Sequence, residues 1–374
     1  MTTRNQSKAL FHNRLLTDGI RAFLFIGTLL GVAWFPPASW ASGTLTISGS
    51  SMLLPLEKIW AKAYANAYPG SRIQVSTTGS GVGLSESAEG EVAIGASDFY
   101  LTKEIQQHHP NLISIPIAIS DAEVIYNLPE FSNEPPVRFD GPLLARIYLG
   151  EVRYWDDPAL RRLNPDLTFP HRTIQVVYRA DASGTTFVFT DYLSRTSRRW
   201  ESRIGRSRSP QWPSGKAYRG SAAVVEAVRT TPGAIGYAGL GWVRKSRLSA
   251  GALKNRSGAY VVGSENTIRN AGLAAINLPR FPDSFNRSIV WEVRGKDVYP
   301  AANFEFFLVD TSLDGETMQD VRDWILWVLG PGQKAKYMRG SGFVALPFRP
   351  TEPHLSRILR RLIPGNSFRV NSPG

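Results

Sequence analysis

Apolar and polar residues along the chain follow patterns that predict strands alternating with helices. Residues 44–48, TLTIS, alternate as expected for a half-buried strand, and residues 56–68 then place apolar side chains at helical spacing on one face. The same patterns predict strands at 72–78, 91–98 and 173–179, and helices at 154–165, after 186, at 315–330 and around 355–362. Repeated strand–loop–helix units predict an α/β fold, with mostly parallel sheets that carry helices on both faces.

The beginning of the chain has a composition unlike the rest. Basic residues between positions 4 and 21 precede an apolar run at 22–35, and the small residues Ser39 and Ala41 follow. This order is typical of a secretory signal peptide, which we place at 1–41. A membrane anchor is the alternative, but the apolar run is shorter than a membrane-spanning helix needs. We therefore expect a soluble protein that is exported to the periplasm of a two-membrane bacterium.

Composition narrows the chemistry that the chain can carry out. Its 374 residues suffice for two domains, and the absence of cysteine excludes disulfides, thiolate metal sites and a lipid on an N-terminal cysteine. Much of the net charge of +12 comes from residues 194–208 and from the tail after Pro347. Such runs are usually solvated surface that attracts anions in general. Neither a zinc finger nor a basic zipper occurs in the sequence, so we expect no nucleic-acid partner.

Three loops between a predicted strand and a predicted helix consist largely of Gly, Ser and Thr. They occupy residues 48–52, 78–83 and 180–186. The start of a helix presents free backbone N–H groups and the positive end of the helix dipole. Glycine lets an anion approach the backbone, and hydroxyls add donors. One such loop is a common helix cap, but three of them together predict an anion site.

Charged residues beside these loops indicate which anion binds. Arg179 carries a planar fork of N–H donors suited to a tetrahedral oxyanion, and Asp181 is placed to orient it. Asp98, the last residue of GASD, would repel a fully ionised anion but accept a hydrogen bond from a protonated one. Leaving a buried acceptor without a donor costs about 1–3 kcal/mol, so this carboxylate favours hydrogen phosphate over sulfate. The ordinary alternatives are a surface arginine and a helix cap.

These residues resemble the family of periplasmic phosphate-binding proteins of the phosphate-specific ABC transporter. Residues 179–194, RADASGTTFVFTDYLS, are similar to the family signature Arg-x-Asp-x-Ser-Gly-Thr-x-Phe, and GASD at 95–98 is similar to the strand end that bears its carboxylate. Further segments that resemble the family lie at 144–165, 232–243 and 342–347. The resemblance runs from about Thr44 to Pro347.

The resemblance implies a set of phosphate-binding residues. Position by position they are Ser51, Leu53, Leu54, Ser80, Asp98, Arg179, Ser183, Gly184 and Thr185, with Asp181 as the partner of the arginine. The chain departs from the family in its first loop, where Leu53 stands in place of a threonine and offers no hydroxyl. Leu54 can still donate its backbone N–H, and Ser51 can supply a hydroxyl after a small shift.

The resemblance also implies a two-lobed clamshell of the type II periplasmic binding protein-like fold. Residues 43–121 with 300–374 form the first lobe, which ends in a basic C-terminal extension at 349–374, and residues 122–299 form the second. Inorganic phosphate would bind in the cleft between the lobes, and hinge closure around a ligand is a known mode of switching. The closed monomer would then dock on the permease of an ABC importer. The family implies neither a cofactor nor a metal, and no enzymatic activity.

Two other functions stay open from the sequence. A secreted phosphatase on the same fold needs a nucleophile, a base or metals. The chain has five histidines, and its His108–His109 pair lacks metal-ligand spacing. It has no Gly-x-Ser-x-Gly elbow and no Walker lysine, so binding is the preferred interpretation. The other alternative is a surface adhesion or interaction protein that uses residues 194–208 or the tail.

Overall fold

The computed structural model describes residues 44–131 and 134–362. The predicted signal peptide at 1–41 lies outside the described residues, as does the end of the C-terminal extension at 363–374. Among the helices that the structure describes, none has both the length and the apolar character required to cross a membrane.

Strands and helices alternate along the described chain. The strands are β1 Thr44–Gly49, β2 Arg72–Ser76, β3 Ile94–Ser97, β4 Leu112–Asp121, β5 Glu123–Tyr126, β6 Arg138–Phe139, β7 Gln175–Arg179, β8 Lys216–Tyr218, β9 Ala234–Ala238, β10 Ser249–Ala250, β11 Ala252–Lys254, β12 Tyr260–Val261 and β13 Ala302–Asp310. The helices are α1 Leu54–Ala67, α2 Ser80–Ala88, α3 Lys103–His108, α4 Gly141–Tyr148, α5 Pro158–Leu163, α6 Gly184–Thr196, α7 Arg198–Arg203, α8 Ser221–Thr230, α9 Leu240–Ser246, α10 Glu265–Ile276, α11 Gly315–Leu329, α12 Ala335–Met338 and α13 Pro353–Leu362. Each predicted strand and helix is confirmed, although β2, β3, β7 and α5 are shorter than predicted.

The first sheet has the strand order β2-β1-β3-β13-β4. β1 pairs in parallel with β2 and β3, and β13 runs antiparallel to β3 and β4. Four strands therefore point one way and β13 points the other way, which agrees with the predicted mostly parallel sheet. Because β1, β2 and β3 end at the same edge, the loops that follow them meet there.

The second sheet has the strand order β10-β5-β9-β7-β8. β7 pairs in parallel with β8 and β9, while β5 runs antiparallel to β9 and β10. Again a single strand, β5, is reversed. The small sheet β12-β11-β6 stands apart from these two. The loop 180–186 follows β7 and lies at the carboxyl edge of the second sheet.

Aromatic packing holds α1, and with it the first loop, in place. The ring of Tyr64 lies edge-on to Trp324 and Trp327 of α11, with centroids 5.1 and 5.5 Å apart. Trp60 is fully buried, and its indole N–H donates to the carbonyl oxygen of Gly332 at 2.9 Å. Burying an aromatic side chain of this kind contributes about 1.5–3 kcal/mol or more. The N-terminus of α1 is therefore supported by a rigid aromatic core.

The chain passes between the two main sheets at two adjacent places. Only Ala122 separates β4 from β5, and its N–H donates to the carbonyl oxygen of Ala301, just before β13, at 3.0 Å. The division into lobes at 43–121 with 300–374 and at 122–299 stays a prediction.

One helix departs from the predicted division. α10 falls within 122–299 but packs against β4 and β13 of the first sheet. Gly272 permits this approach, because a Cβ there would lie 2.4 Å from Cδ1 of Ile119. The helix therefore belongs, by its packing, with the first sheet.

Most arginines of residues 194–208 are held in ion pairs. The pairs are Arg195–Asp191, Arg195–Glu292, Arg199–Glu151, Arg203–Glu151 and Arg206–Asp191. The pairs with Glu151 are largely exposed and add little stability, about 0–1 kcal/mol each, whereas Asp191 is buried. All these pairs balance much of the local charge, so this run is less cationic than its composition indicates.

The described part of the basic extension forms α13, which packs against β4. Its apolar residues Leu355, Ile358, Leu359 and Leu362 are buried. The guanidinium of Arg361 donates to the carbonyl oxygen of Pro110 at 3.0 Å. This helix therefore covers the first sheet with its apolar side.

Candidate functional site

Main-chain hydrogen bonds join the loops that follow β1 and β2. The N–H groups of Thr78 and Gly79 donate to the carbonyl oxygen of Gly49 at 3.2 and 2.8 Å. Gly79 has φ 97°, a conformation that favours glycine, and α2 begins directly after it at Ser80. A Cβ on Gly83 would lie only 2.5 Å from the carbonyl oxygen of Ser48 in β1. α2 thus starts against β1, and this places Ser80 beside the loop after β3.

Asp98 follows β3 and is almost completely buried, with 4% of its surface exposed. Its carboxylate accepts a hydrogen bond from Oγ of Ser80 at 2.9 Å and another from Oγ of Ser50. Burial raises the pKa of Asp98, and the two hydroxyls and the positive charge of Arg208 act in the opposite direction. A carboxylate has about four lone-pair positions, so it can still accept a further hydrogen bond.

Two other buried carboxyl groups lie near Asp98, those of Glu57 in α1 and Glu305 in β13. The carboxyl of Glu57 has no hydrogen-bond partner among the described residues, whereas that of Glu305 interacts with the hydroxyl of Ser120 and with the carboxyl of Asp98. Burial, followed by the charge of Asp98, raises the pKa of Glu57 to about 8 and that of Glu305 well above its ordinary value. Both groups therefore favour the protonated form at neutral pH. Of the three carboxyls, Asp98 is the one with two hydroxyl partners that stabilise a negative charge.

Arg179, the last residue of β7, is held from two sides. Its Nε and Nη2 donate to the two carboxylate oxygens of Asp181 at 2.8 and 2.5 Å, and its Nη1 donates to Oγ of Ser221 at 2.8 Å. Burial opposes ionisation of Asp181, but hydrogen bonds from Arg179 and from the N–H of Gly220 lower its pKa to about 2. Only 9% of the arginine side chain is exposed. The guanidinium is thus oriented by its neighbours before a ligand binds.

The N-terminus of α6 lies against Asp98. Ser183 caps this helix by accepting a main-chain N–H of the first turn at 3.3 Å. A Cβ on Gly184 would lie 2.4 Å from Cγ of Asp98, so this approach requires glycine. The hydroxyl of Thr185 donates to Sδ of Met52 at 3.2 Å. A helix that follows the second sheet therefore meets the loops of the first sheet at this point.

The first loop places its side chains in three different environments. Leu53 is fully buried in the core, Ser51 is exposed, and Leu54 begins α1. The N–H of Leu53 points to Oγ of Ser50 at 3.4 Å. The hydroxyl that contacts Asp98 is therefore that of Ser50, a residue that the sequence analysis did not select.

The structure brings most of the predicted residues together. Ser80 and Gly184 both contact Asp98, Ser183 and Thr185 are the neighbours of Gly184 at the start of α6, and Arg179 lies at the other end of the loop that joins β7 to α6. Leu53 is directed away into the core. That these residues bind phosphate stays a prediction.

Ser221, which contacts Arg179, is not among the predicted site residues. Its signal was present, because residues 220–223 pair a glycine and a serine at a helix start, as in the three selected loops. No local signal separates Ser50 from Ser51. Only the tertiary structure decides which hydroxyl faces Asp98.

A cavity of about 540 Å³ opens beside Arg179. Residues from both sets of loops line it, among them Ser51, Thr78, Gly79, Arg219 and Ser221. Its volume is many times the ~30 Å³ share of a water molecule in the liquid, so a small oxyanion fits. The donors that line it are hydroxyls, main-chain N–H groups and guanidinium groups.

Comparison with protein families identifies related chains. The family model described as the PBP superfamily domain matches residues 36–331. The phosphate-binding protein PstS of Methanocaldococcus jannaschii is 30% identical over 326 residues, which cover 81% of this chain and 83% of the relative. PstS of Xylella fastidiosa (strain 9a5c) is 32% identical over 304 residues, which cover 80% of this chain and 81% of the relative.

Solved structures share the fold at lower identity. A putative phosphate ABC transporter substrate-binding protein from Clostridium perfringens, solved with bound phosphate, has a TM-score of 0.55 and 19% identity and covers 81% of this chain and 100% of its own. An ABC-type phosphate transport receptor from Vibrio cholerae has a TM-score of 0.55 and 17% identity, with coverages of 80% and 99%. These likenesses establish the periplasmic binding protein-like fold, as predicted.

Proposed function

Because the chain belongs to the PBP superfamily and, within it, to the PstS phosphate-binding proteins, we propose that it captures inorganic phosphate and delivers it to an ABC importer. The observation that carries this proposal is the meeting of Asp98 with the N-terminus of α6. A buried acceptor there faces main-chain and hydroxyl donors. Such a set suits an oxyanion that still bears a proton, because its unprotonated oxygens accept while its P–OH group donates.

The residues divide into donors and one acceptor. Arg179, Thr185, the hydroxyl of Ser183 and the N–H groups at Ser80 and Gly184 donate to the phosphate oxygens. Asp98 accepts a hydrogen bond from the P–OH group of hydrogen phosphate. Sulfate has no such proton, so its negative charge would lie against that of the Asp98 carboxylate. In the first loop we assign to Ser50 the orientation of Asp98. Ser51, on the cavity wall, and the N–H of Leu54 are the additional donors, and Leu53 contributes its main chain only.

Transport requires that the site open and close. We place the hinge at the adjacent passages near Ala122 and Ala301, with the second lobe moving relative to the first around them. Phosphate favours closure to the extent that it binds the closed form more tightly. The closed monomer then docks on permease subunits. We expect this to occur in the periplasm after removal of the signal peptide.

Binding rather than catalysis is the proposed activity. Arg179 and Asp98 are engaged with Asp181, Ser50 and Ser80, so the residues of the site orient an anion. A phosphomonoester assay on the pure protein tests the phosphatase alternative. Turnover that disappears in R179A would support that alternative and contradict the proposal.

Titration calorimetry of the chain from Ser42 onward tests the proposal directly. We expect tight phosphate binding and sulfate binding weaker by at least roughly 10- to 100-fold, the cost of an unsatisfied charged acceptor. R179A should weaken phosphate binding by roughly 10- to 100-fold, because hydrogen bonds to charged groups contribute about 1.5–3 kcal/mol each. Arg229→Ala is the matched control, since it removes an arginine that pairs with Glu226 at the surface of the same half. Equal binding of phosphate and sulfate would contradict the proposal.

A further inference from the structure

Arg208 connects parts of the chain that belong to different sheets. It follows α7 and precedes β8 of the second sheet, and its own carbonyl oxygen accepts the N–H of Ser183 at 3.1 Å. Its guanidinium carbon lies 4.8 Å from the ring centroid of Phe99, which follows β3 of the first sheet. Its Nη2 also packs on the start of α2, 3.1 Å from where a Cβ of Gly81 would lie. The side chain therefore connects two halves of the protein, one built on the first sheet and the other on the second, beside the candidate site.

Arg208 differs from most of the other arginines of residues 194–208. Arg195, Arg199, Arg203 and Arg206 pair with carboxylates, whereas within the described part of the chain Arg208 has no carboxylate oxygen within 4.0 Å. Its positive charge therefore remains available to the site. Asp98 is the carboxyl on which this charge acts.

Asp98 is surrounded by two buried carboxyls, two hydroxyls and one cation, and a hydrogen bond with Glu305 lowers its pKa. Glu57 approaches it from α1 and Glu305 from β13, and both of these favour the protonated form. The hydroxyls of Ser50 and Ser80 contact it from the first sheet's loops, and Arg208 is the cation that approaches from the other half. Separation of the halves would remove the arginine and leave Asp98 beside two buried carboxyls. Charge on Asp98 and closure of the cleft are thus linked through Arg208.

We propose that Arg208 is a positioning residue that bridges the two halves on closure and places its positive charge beside Asp98, and that it thereby supports the selection of phosphate over sulfate. This inference rests on the proposed function. Contacts made only in the closed form raise its population, and the apparent affinity for phosphate rises with that population. The attraction between a partly desolvated arginine and an aromatic ring is strong enough to shift the equilibrium between the open and the closed form.

Sulfate is the informative probe, because it carries no proton that titrates near neutral pH. Ionised Asp98 repels sulfate, whereas protonated Asp98 can donate a hydrogen bond to it. Sulfate binding should therefore strengthen as the pH falls through the pKa of Asp98. Arg208 lowers that pKa, so removal of its charge should move the rise in sulfate affinity to higher pH.

The experiment measures sulfate and phosphate affinity by calorimetry between pH 5 and 8.5 for wild type, R208Q, R208K and R206Q. In R208Q we expect phosphate binding about tenfold weaker, from loss of the bridging contact. The rise in sulfate affinity should move to higher pH, because the charge that lowers the pKa of Asp98 is gone. R208K should keep the wild-type sulfate profile, because it keeps the charge. R206Q, which removes an exposed arginine two residues away, should match wild type in both measurements.

Several outcomes would overturn the inference. Superimposable sulfate profiles for R208Q and R206Q would do so, and so would a displacement in R208K as large as that in R208Q. In either case tight phosphate binding by the wild-type protein would leave the proposed function standing. A wild-type protein that does not bind phosphate would refute the proposed function and this inference together.

Discussion

Glu57 offers a sharp test of the electrostatics behind the site. Its side chain is fully buried in the first turn of α1, and its carboxyl oxygens have no hydrogen-bond partner among the described residues. Burial and the charge of Asp98 raise its pKa from 4.5 to about 8. E57Q replaces the neutral acid by a neutral amide of nearly the same shape, so it removes the ionisation with little change in packing.

The magnitude follows from linkage between protonation and folding. Above pH 4.5 the unfolded chain releases the proton of Glu57, while the folded protein retains it up to about pH 8. Over this interval the wild-type protein loses about 1.4 kcal/mol of unfolding free energy per pH unit relative to E57Q. The full interval amounts to about 5 kcal/mol, an upper value because the protein relaxes around a newly formed charge.

Urea unfolding of both proteins without phosphate, at pH 5, 6, 7 and 8, measures this effect. We expect E57Q to gain stability over wild type progressively with pH, by at least about 2 kcal/mol between pH 5 and pH 8. The same substitution at Glu91, which is exposed, serves as the control and should give a difference that does not change with pH. A constant difference between E57Q and wild type across this range would refute the reasoning.

Three further predictions concern selectivity, closure and the hinge. D98N should admit sulfate, because the repelling charge is gone, and an unchanged ratio of phosphate to sulfate affinity in calorimetry would count against the role of Asp98. G184A should weaken phosphate binding by roughly 5- to 150-fold, which corresponds to about 1–3 kcal/mol of overpacking. The reason is that its Cβ would lie 2.4 Å from Cγ of Asp98. An affinity equal to that of wild type would show that the structure can shift to accommodate the methyl group. Burial and the neighbouring charge of Asp121 raise the pKa of Glu123 to about 9. The melting temperature of the wild-type protein should therefore fall from pH 5 to pH 9, and that of E123Q should fall less. Equal decreases in the two proteins would contradict this.

Much of the local structure follows from short-range patterns. The alternation at 44–48 predicts β1, and the apolar spacing at 56–68 predicts α1, because side-chain periods of two and 3.6 residues depend only on backbone geometry. The residues 179–187 combine an arginine, an aspartate and a helix cap within one stretch of chain. Their arrangement is local, so the sequence already contains it.

Other features depend on long-range packing. α10 lies within residues assigned to the second lobe, yet packs on the first sheet, because Gly272 allows contact with Ile119 of β4. No pattern within the helix indicates which sheet it covers. The basic run 194–208 likewise reads as a cationic surface until its carboxylate partners, such as Glu151, come close in space.

Short-range patterns in the chain were enough to predict the succession of strands and helices, the Gly/Ser/Thr loops and the residues of the motif after β7. The tertiary structure alone decided that Ser50 faces Asp98, that Glu57 and Glu305 lie near it, and that Arg208 reaches it from the other half. The physical reason is that the charge and orientation of a buried carboxyl depend on groups far apart in sequence. Their distances are set only when the two sheets pack together.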